Sequence, residues 1–196
     1  MSFTKYSFAA LLTSIVLYNQ YLHIAEWGEL IEIMWYCNIA ALVMAVGLVL
    51  KSSKISSLIL TLSIITQGLW IVDFFLQMSG SGLGRTAELF TYDIHIIVVS
   101  TILHGILIPT AFVATRKWGY DKSSIWYGFI FITILLWSTY YITPIEENIN
   151  CVFATCDTHE PISFIKDSYL YWIASFVIFH QLVGEFITYI NRIRQN

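Results

Sequence analysis

The sequence predicts an all-α, polytopic integral membrane protein: one membrane domain over residues 1–196, six transmembrane helices, and both termini in the cytoplasm (N-in/C-in). Three observations predict it. Charged residues make up 12% of the chain and hydrophobic ones 57%, whereas an ordinary soluble domain is about 25% charged; the mean hydropathy is +0.69. The apolar residues gather into six runs, each close to the roughly 20 residues that cross about 30 Å of hydrocarbon as a helix. Charge of each sign sorts to opposite ends of those runs. The same composition excludes a soluble globular protein, a disordered chain and a nucleic-acid binder with a basic face.

In order, the spans are expected near 7–24, 30–50, 55–77, 92–114, 125–143 and 169–190. The first follows Lys5 much as the core of a secretory signal would, but residues 19–25 offer no small-x-small cleavage site, so a retained helix is expected. The second stops at Lys51-Ser-Ser-Lys54, and the third at Ser79-Gly-Ser-Gly-Leu-Gly84. The fourth contains Pro109, which kinks a helix and frees a carbonyl one turn earlier. Lys5, Lys51, Lys54, Arg116, Lys117, Lys122, Arg192 and Arg194 then fall on one side, eight of the ten basic residues, with Arg85 and Lys166 opposite. Glu26, Glu29, Glu88, Glu146, Glu147, Asp157, Glu160 and Asp167 take the other side. Lys and Arg mark the cytoplasmic side of short loops, which places the chain in a cytoplasmic (inner) membrane with the connection 144–167 outside. That loop holds Cys151 and Cys156 in an oxidising compartment, where a disulfide is expected rather than a metal site. Cys37, inside the second span, reads as a small apolar residue.

Polar side chains within spans are costly in hydrocarbon, so they face the bundle interior and mark candidate sites. The third span carries Ser56, Ser63, Thr66, Trp70, Asp73 and Gln77 along one face. Ser and Thr there can serve helix packing; Asp73 is a carboxylate that needs a partner or a proton. Asp93, Ser100 and His104 share a face of the fourth span, with His95 rotated away. Asn38 sits mid-membrane in the second span beside Ala41 and Ala45, a setting suited to a bond between helices. His180 lies in the sixth span at about the depth of His104, while Gln181, Glu185, Thr188 and Arg192 form a separate stripe. Asn19, His23, Asn38, Asp73, Asp93, His95, His104 and His180 all fall in the outer half or at the midplane. A pocket opening outward is expected.

Three functions fit such a pocket. The leading one is a zinc-dependent hydrolase or lipid-modifying enzyme, in which His104, His180 and His95 bind the metal, Asp73 is ligand or general base, Asn38 orients, and Ser100 supports the site or an oxyanion. The second is a b-type haem protein with His104 and His180 as axial ligands. The third is a small-solute transporter or accessory membrane subunit, in which the polar residues fix helix contacts; under any of the three the expected partners are membrane lipids and a lipid or small-molecule ligand. Retinal attachment is excluded, because no Lys lies within a span.

Ser100-Thr-Ile-Leu-His104 resembles the Ser-x3-His motif of the alkaline ceramidase and adiponectin-receptor superfamily, seven-span zinc amidases acting on lipids. The pattern departs at His180-Gln-Leu-Val-Gly184, where that superfamily carries His-x3-His. A longer series, Glu26-Trp27, Trp35-Tyr-Cys-Asn38, Trp70-Ile-Val-Asp73, Ser100-x3-His104 with Pro109, Gly119-Tyr-Asp121 and Asn148-Ile-Asn150, resembles a family of small uncharacterised bacterial membrane proteins. It implies a bacterial origin and a shared constellation of Asn38, Asp73 and His104, but no activity.

Overall fold

Backbone amides in hydrocarbon are satisfied within a segment only by helix, and six helices form: α1 (Ser2–Trp27), α2 (Tyr36–Leu50), α3 (Ser53–Met78), α4 (Ile94–Trp118), α5 (Ser124–Ile142) and α6 (Leu170–Ile193). The computed structural model describes residues 2–28, 30–84, 86–155 and 160–193, and for residues 2–4, 26, 27 and 88 the backbone alone. Five helices are long and apolar enough to cross a membrane; α2 is shorter. The only pairing of extended backbone among the described residues is an isolated bridge between Ala154 and Pro161.

The continuous span expected over 30–50 is corrected here. A 3₁₀ turn, Ile31–Met34, leads to Trp35 in extended conformation, and α2 starts only at Tyr36. Its 15 residues rise about 22 Å, short of the bilayer core. The cause is a side chain 114 positions away in sequence: the Tyr36 amide donates to Asn150 Oδ1 at 2.8 Å, and Asn150 Nδ2 donates to the Met34 carbonyl, also at 2.8 Å. Asn150 thus satisfies both sides of the break, including one of the amides that a helix start leaves without a partner. The fourth helix begins at Ile94 because Asp93 caps it, accepting from the His95 amide at 2.8 Å. A π-helical turn, Phe164–Tyr169, leads into α6.

Helix α3 is central. It packs on α2, α4, α5 and α6, while α1 lies against α2 and α4. Its small polar residues bond outward to different elements: Ser57 Oγ accepts from the Asp121 amide at 2.9 Å, Thr61 pairs with the Tyr120 hydroxyl at 3.3 Å, and Ser63 with the Tyr36 hydroxyl at 3.1 Å. At one end, Lys5 Nζ reaches the Val49 carbonyl and Lys54 Nζ the Tyr127 hydroxyl. This basic end gathers the start of α1, the α2–α3 turn and the α4–α5 turn. In that last turn the Ser123 hydroxyl and amide hold the Asp121 carboxyl below the usual carboxylate range, with Lys54 adding to the effect. The opposite, loop end carries residues 28–35, 79–93 and 143–163.

Helices α5 and α6 meet through Gly128, where a Cβ would lie 2.0 Å from Cζ of the fully buried Phe176. A methyl at 128 would overlap a ring edge that is itself fully buried, so Gly128→Ala is expected to cost about 1–3 kcal/mol through overpacking. Thermal unfolding in detergent checks this; an unchanged melting temperature would show that the α5–α6 seam yields.

Candidate functional site

At the loop end, α1 to α4 and the start of α6 enclose a cavity of about 930 Å³. It extends from Glu146, exposed in the 143–163 segment, down to Leu62 and His104. Leu62 lies 16 residues from Met78 at the loop end of α3, about 24 Å at 1.5 Å per residue, which takes the cavity past the middle of that helix. Below it, Ile59, Leu107 and Ala111 have no exposure at all. The cavity is therefore closed toward the basic end by packed apolar side chains.

Hydrogen bonding dictates what its wall offers. The Asn38 amide donates to the Glu32 carbonyl at 2.8 Å, and a carbonyl only accepts, so Asn38 Oδ1 is fixed as the acceptor facing Asn19 Nδ2 at 3.5 Å. That leaves Asn19 Oδ1 without a partner. Thr66 donates to the Leu62 carbonyl at 2.9 Å and accepts from Gln67 Nε2 at 3.3 Å, which leaves Gln67 Oε1 without one. His104 Nδ1 lies 2.7 Å from the Ser100 carbonyl, so it carries the proton and Nε2 is an acceptor. No protein group among the described residues bonds that nitrogen. His104 is held flat against Trp70, their ring centroids 3.8 Å apart. A fourth unpartnered polar atom is the Ser168 hydroxyl in the π-helical turn. Asn19, Gln67 and Ser168 are 4%, 2% and 3% exposed, and buried polar atoms left this way each cost roughly 1–3 kcal/mol. The cavity also meets four carboxylates, Glu32, Glu146, Glu147 and Asp167, and no Lys or Arg among the described residues.

The expected site residues are only partly brought together. Asn38, Ser100 and His104 line the cavity. The Ser100 contact to His104 is through its carbonyl rather than its hydroxyl. Asp73 does not line it: the fully buried carboxylate accepts from the Leu83 amide and from the amide and hydroxyl of Thr86 at 2.8 and 2.9 Å, and so anchors the 79–93 segment. His95 is exposed in the first turn of α4, outside the cavity. His180 lines a different groove, of about 550 Å³, near the basic end, where its Nε2 is 2.8 Å from Ser124 Oγ.

His104 and His180 are not brought together: His104 lines the loop-end cavity, whereas His180 bonds Ser124, the first residue of α5, near the basic end, and α3 packs on both α4 and α6. A zinc site or an axial haem pair built on both therefore does not fit this arrangement. Among the described residues no group of three or more His, Cys, Asp or Glu is placed to hold a metal ion. Position 184, where the lipid amidases carry a second histidine, is filled from outside: a Cβ on Gly184 would lie 2.8 Å from the Tyr120 ring, whose hydroxyl donates to the His180 carbonyl at 2.7 Å. Cys151 is disulfide-bonded and Cys37 is free; Cys156 lies outside the described residues.

Gln67 and Ser168 were not singled out from the sequence. Gln67 carried a readable signal, an amide in mid-span four residues after Ser63. Ser168 carried none, since it falls at the edge of the long loop. Comparison with protein-family models, with curated proteins and with solved structures finds no match for the chain.

Proposed function

We propose that this chain is a membrane-embedded binding protein for a small polar solute, received from the loop end into the cavity between α1, α2, α3, α4 and α6. The observation that carries the reading is the set of buried, unpartnered polar atoms of Asn19, Gln67 and Ser168 around one cavity of about 930 Å³. Ligand sites have volumes of this order and a few polar groups in a largely apolar wall. A fold retains orphaned buried acceptors at a cost in stability where something else satisfies them. Zinc and haem chemistry require His104 and His180 to converge; solute binding requires only the cavity. The sorting of Lys and Arg to the basic end supports a cytoplasmic location for that end. The disulfide at Cys151 supports an oxidising, outer location for the loop end.

The free thiol of Cys37 lines the cavity and offers the test. In sealed vesicles, a small membrane-impermeant thiol reagent is expected to label Cys37 from the loop side and not from the basic side. The Cys37→Ala variant gives the background. Absence of labelling in folded protein from either side would overturn the reading.

A further inference from the structure

The stripe of Gln181, Glu185, Thr188 and Arg192 has no part in the loop-end cavity. It lines the groove of about 550 Å³ at the basic end, which it shares with Tyr120, Lys122 and Ile125. Two contacts set the level of that groove: the Tyr120 hydroxyl donates to the His180 carbonyl at 2.7 Å and stands 3.3 Å from Thr61 Oγ1 of α3. Eight residues separate Thr61 from Ser53, the first of α3, and eight separate His180 from Thr188 on α6, about 12 Å each at 1.5 Å per residue. The two helices run in opposite directions between the basic and loop ends. Thr188 is therefore level with the start of α3, and Arg192 lies one turn beyond it.

Along this line the groove changes character as a phospholipid does. Val177 and Ile125 line its deep end, Gln181 and Glu185 its middle, and Thr188 and Arg192 the end where α3 begins. Gln181 and Glu185 bond to each other at 3.4 Å but are exposed, and exposed polar groups are costly beside hydrocarbon. In charge, the groove sets two cations against one carboxylate. Lys122 and Arg192 are exposed and make no hydrogen bond or ion pair with a described residue, whereas Lys5 and Lys54 at the same end each have an oxygen partner. Side chains on a helix lean toward its N-terminus, which carries the Arg192 guanidinium back over the groove it lines.

We infer that this groove holds the headgroup of an anionic phospholipid from the leaflet at the basic end. Lys122 and Arg192 take the phosphate, Gln181 and Thr188 lie beside the glycerol esters, and Val177 and Ile125 meet the first chain carbons. Arginine offers a planar fork that matches phosphate oxygens, and basic pockets between membrane helices bind lipid headgroups in this way. Two positive charges and one negative leave one positive, which a phosphodiester with an uncharged headgroup neutralises. A choline or ethanolamine headgroup would bring a further cation to Lys122 and Arg192. The inference is independent of the loop-end cavity and rests on the helices crossing a bilayer with the basic end at one surface.

The intact chain in dodecyl maltoside micelles tests it, with energy transfer from tryptophan to phosphatidylglycerol carrying a dansyl group on one acyl chain. Saturable transfer is expected, displaced by unlabelled phosphatidylglycerol and at least ten-fold less well by phosphatidylcholine or inorganic phosphate. Lys122→Gln with Arg192→Gln is expected to weaken binding at least ten-fold with the melting temperature of the lipid-free protein unchanged. Lys51→Gln with Lys117→Gln, two cations at the same end but outside the groove, should change it less than two-fold. Glu185→Gln removes the repelling charge and should tighten binding at least two-fold, a gain that damaged packing does not produce. Equal losses in the two double variants, or no gain from Glu185→Gln, would reduce the effect to general surface charge and overturn the site. Equal displacement by phosphatidylcholine removes charge recognition, and equal displacement by phosphate makes it a site for the free anion; either result overturns the lipid assignment. Dimeric protein that takes up no labelled lipid would mean that a second copy covers the groove, which overturns it as well.

Discussion

Replacing Asn150 by alanine is expected to lower the unfolding free energy by about 3–5 kcal/mol, because the side chain serves two backbone groups that have no other partner. The Tyr36 amide and the Met34 carbonyl flank the break before α2, and both bond to Asn150 at 2.8 Å; a third bond reaches Thr139 Oγ1 at 3.0 Å. Each buried group left unsatisfied costs about 1–3 kcal/mol. Asn150 also holds a backbone φ of 56°, a conformation asparagine tolerates better than alanine does. Asn150→Asp keeps the acceptor for Tyr36 but turns an oxygen toward the Met34 carbonyl, so it should recover little. Thermal unfolding in detergent measures the loss, and limited proteolysis should find the 143–163 segment released with it. An alanine variant that melts within about 1 kcal/mol of the parent would mean that the break at Trp35 is held by something else.

Asp73→Ala is expected to cost a similar amount, about 3–5 kcal/mol, the range for breaking a buried charged network by removing one partner. The carboxylate receives the amides of Leu83 and Thr86 and the Thr86 hydroxyl with no exposure to solvent. Hydrogen bonds to a charged group are the stronger kind, and these fix Leu83 and Thr86 against α3. Asp73→Asn rescues only in part, because its amide nitrogen would face a backbone amide, of Leu83 or of Thr86, that only donates. Early protease cleavage within 79–93 should accompany the lower melting temperature. A role for Asp73 as general base predicts instead a variant that folds and melts like the parent and has lost only activity, so stability alone decides between the two.

The six helices were legible because hydropathy and charge act through segment length, which a sequence displays directly. The break at Trp35 was not, since Leu30, Ile31, Ile33 and Met34 are as apolar as any membrane helix. What stops α2 is a bond from Asn150, and no local signal encodes a partner so distant in sequence. Asn38, Ser100 and His104 line one cavity, as expected of intramembrane polar residues that turn inward. His180 falls elsewhere because the helical run into α6 starts already at Phe164, which carries His180 to the level of Ser124 and Tyr120, and because α3 lies between α4 and α6. Asp73 was conspicuous for the same reason as His104, and in the structure its carboxylate bonds the loop residues Leu83 and Thr86. A buried carboxylate looks the same in sequence whether its donors are backbone amides or a substrate.

The packed floor beneath the cavity has an electrical consequence. Ile59, Leu107 and Ala111 form a low-dielectric plug, whereas on the proposed reading the space above them opens to the aqueous phase at the loop end. In the proposed membrane setting the potential then falls mainly across that plug rather than evenly across the bilayer. Moving one elementary charge through the full drop is worth about 2.3 kcal/mol per 100 mV. Field lines focus on the floor, so His104, on its upper side, lies where the potential begins to change steeply.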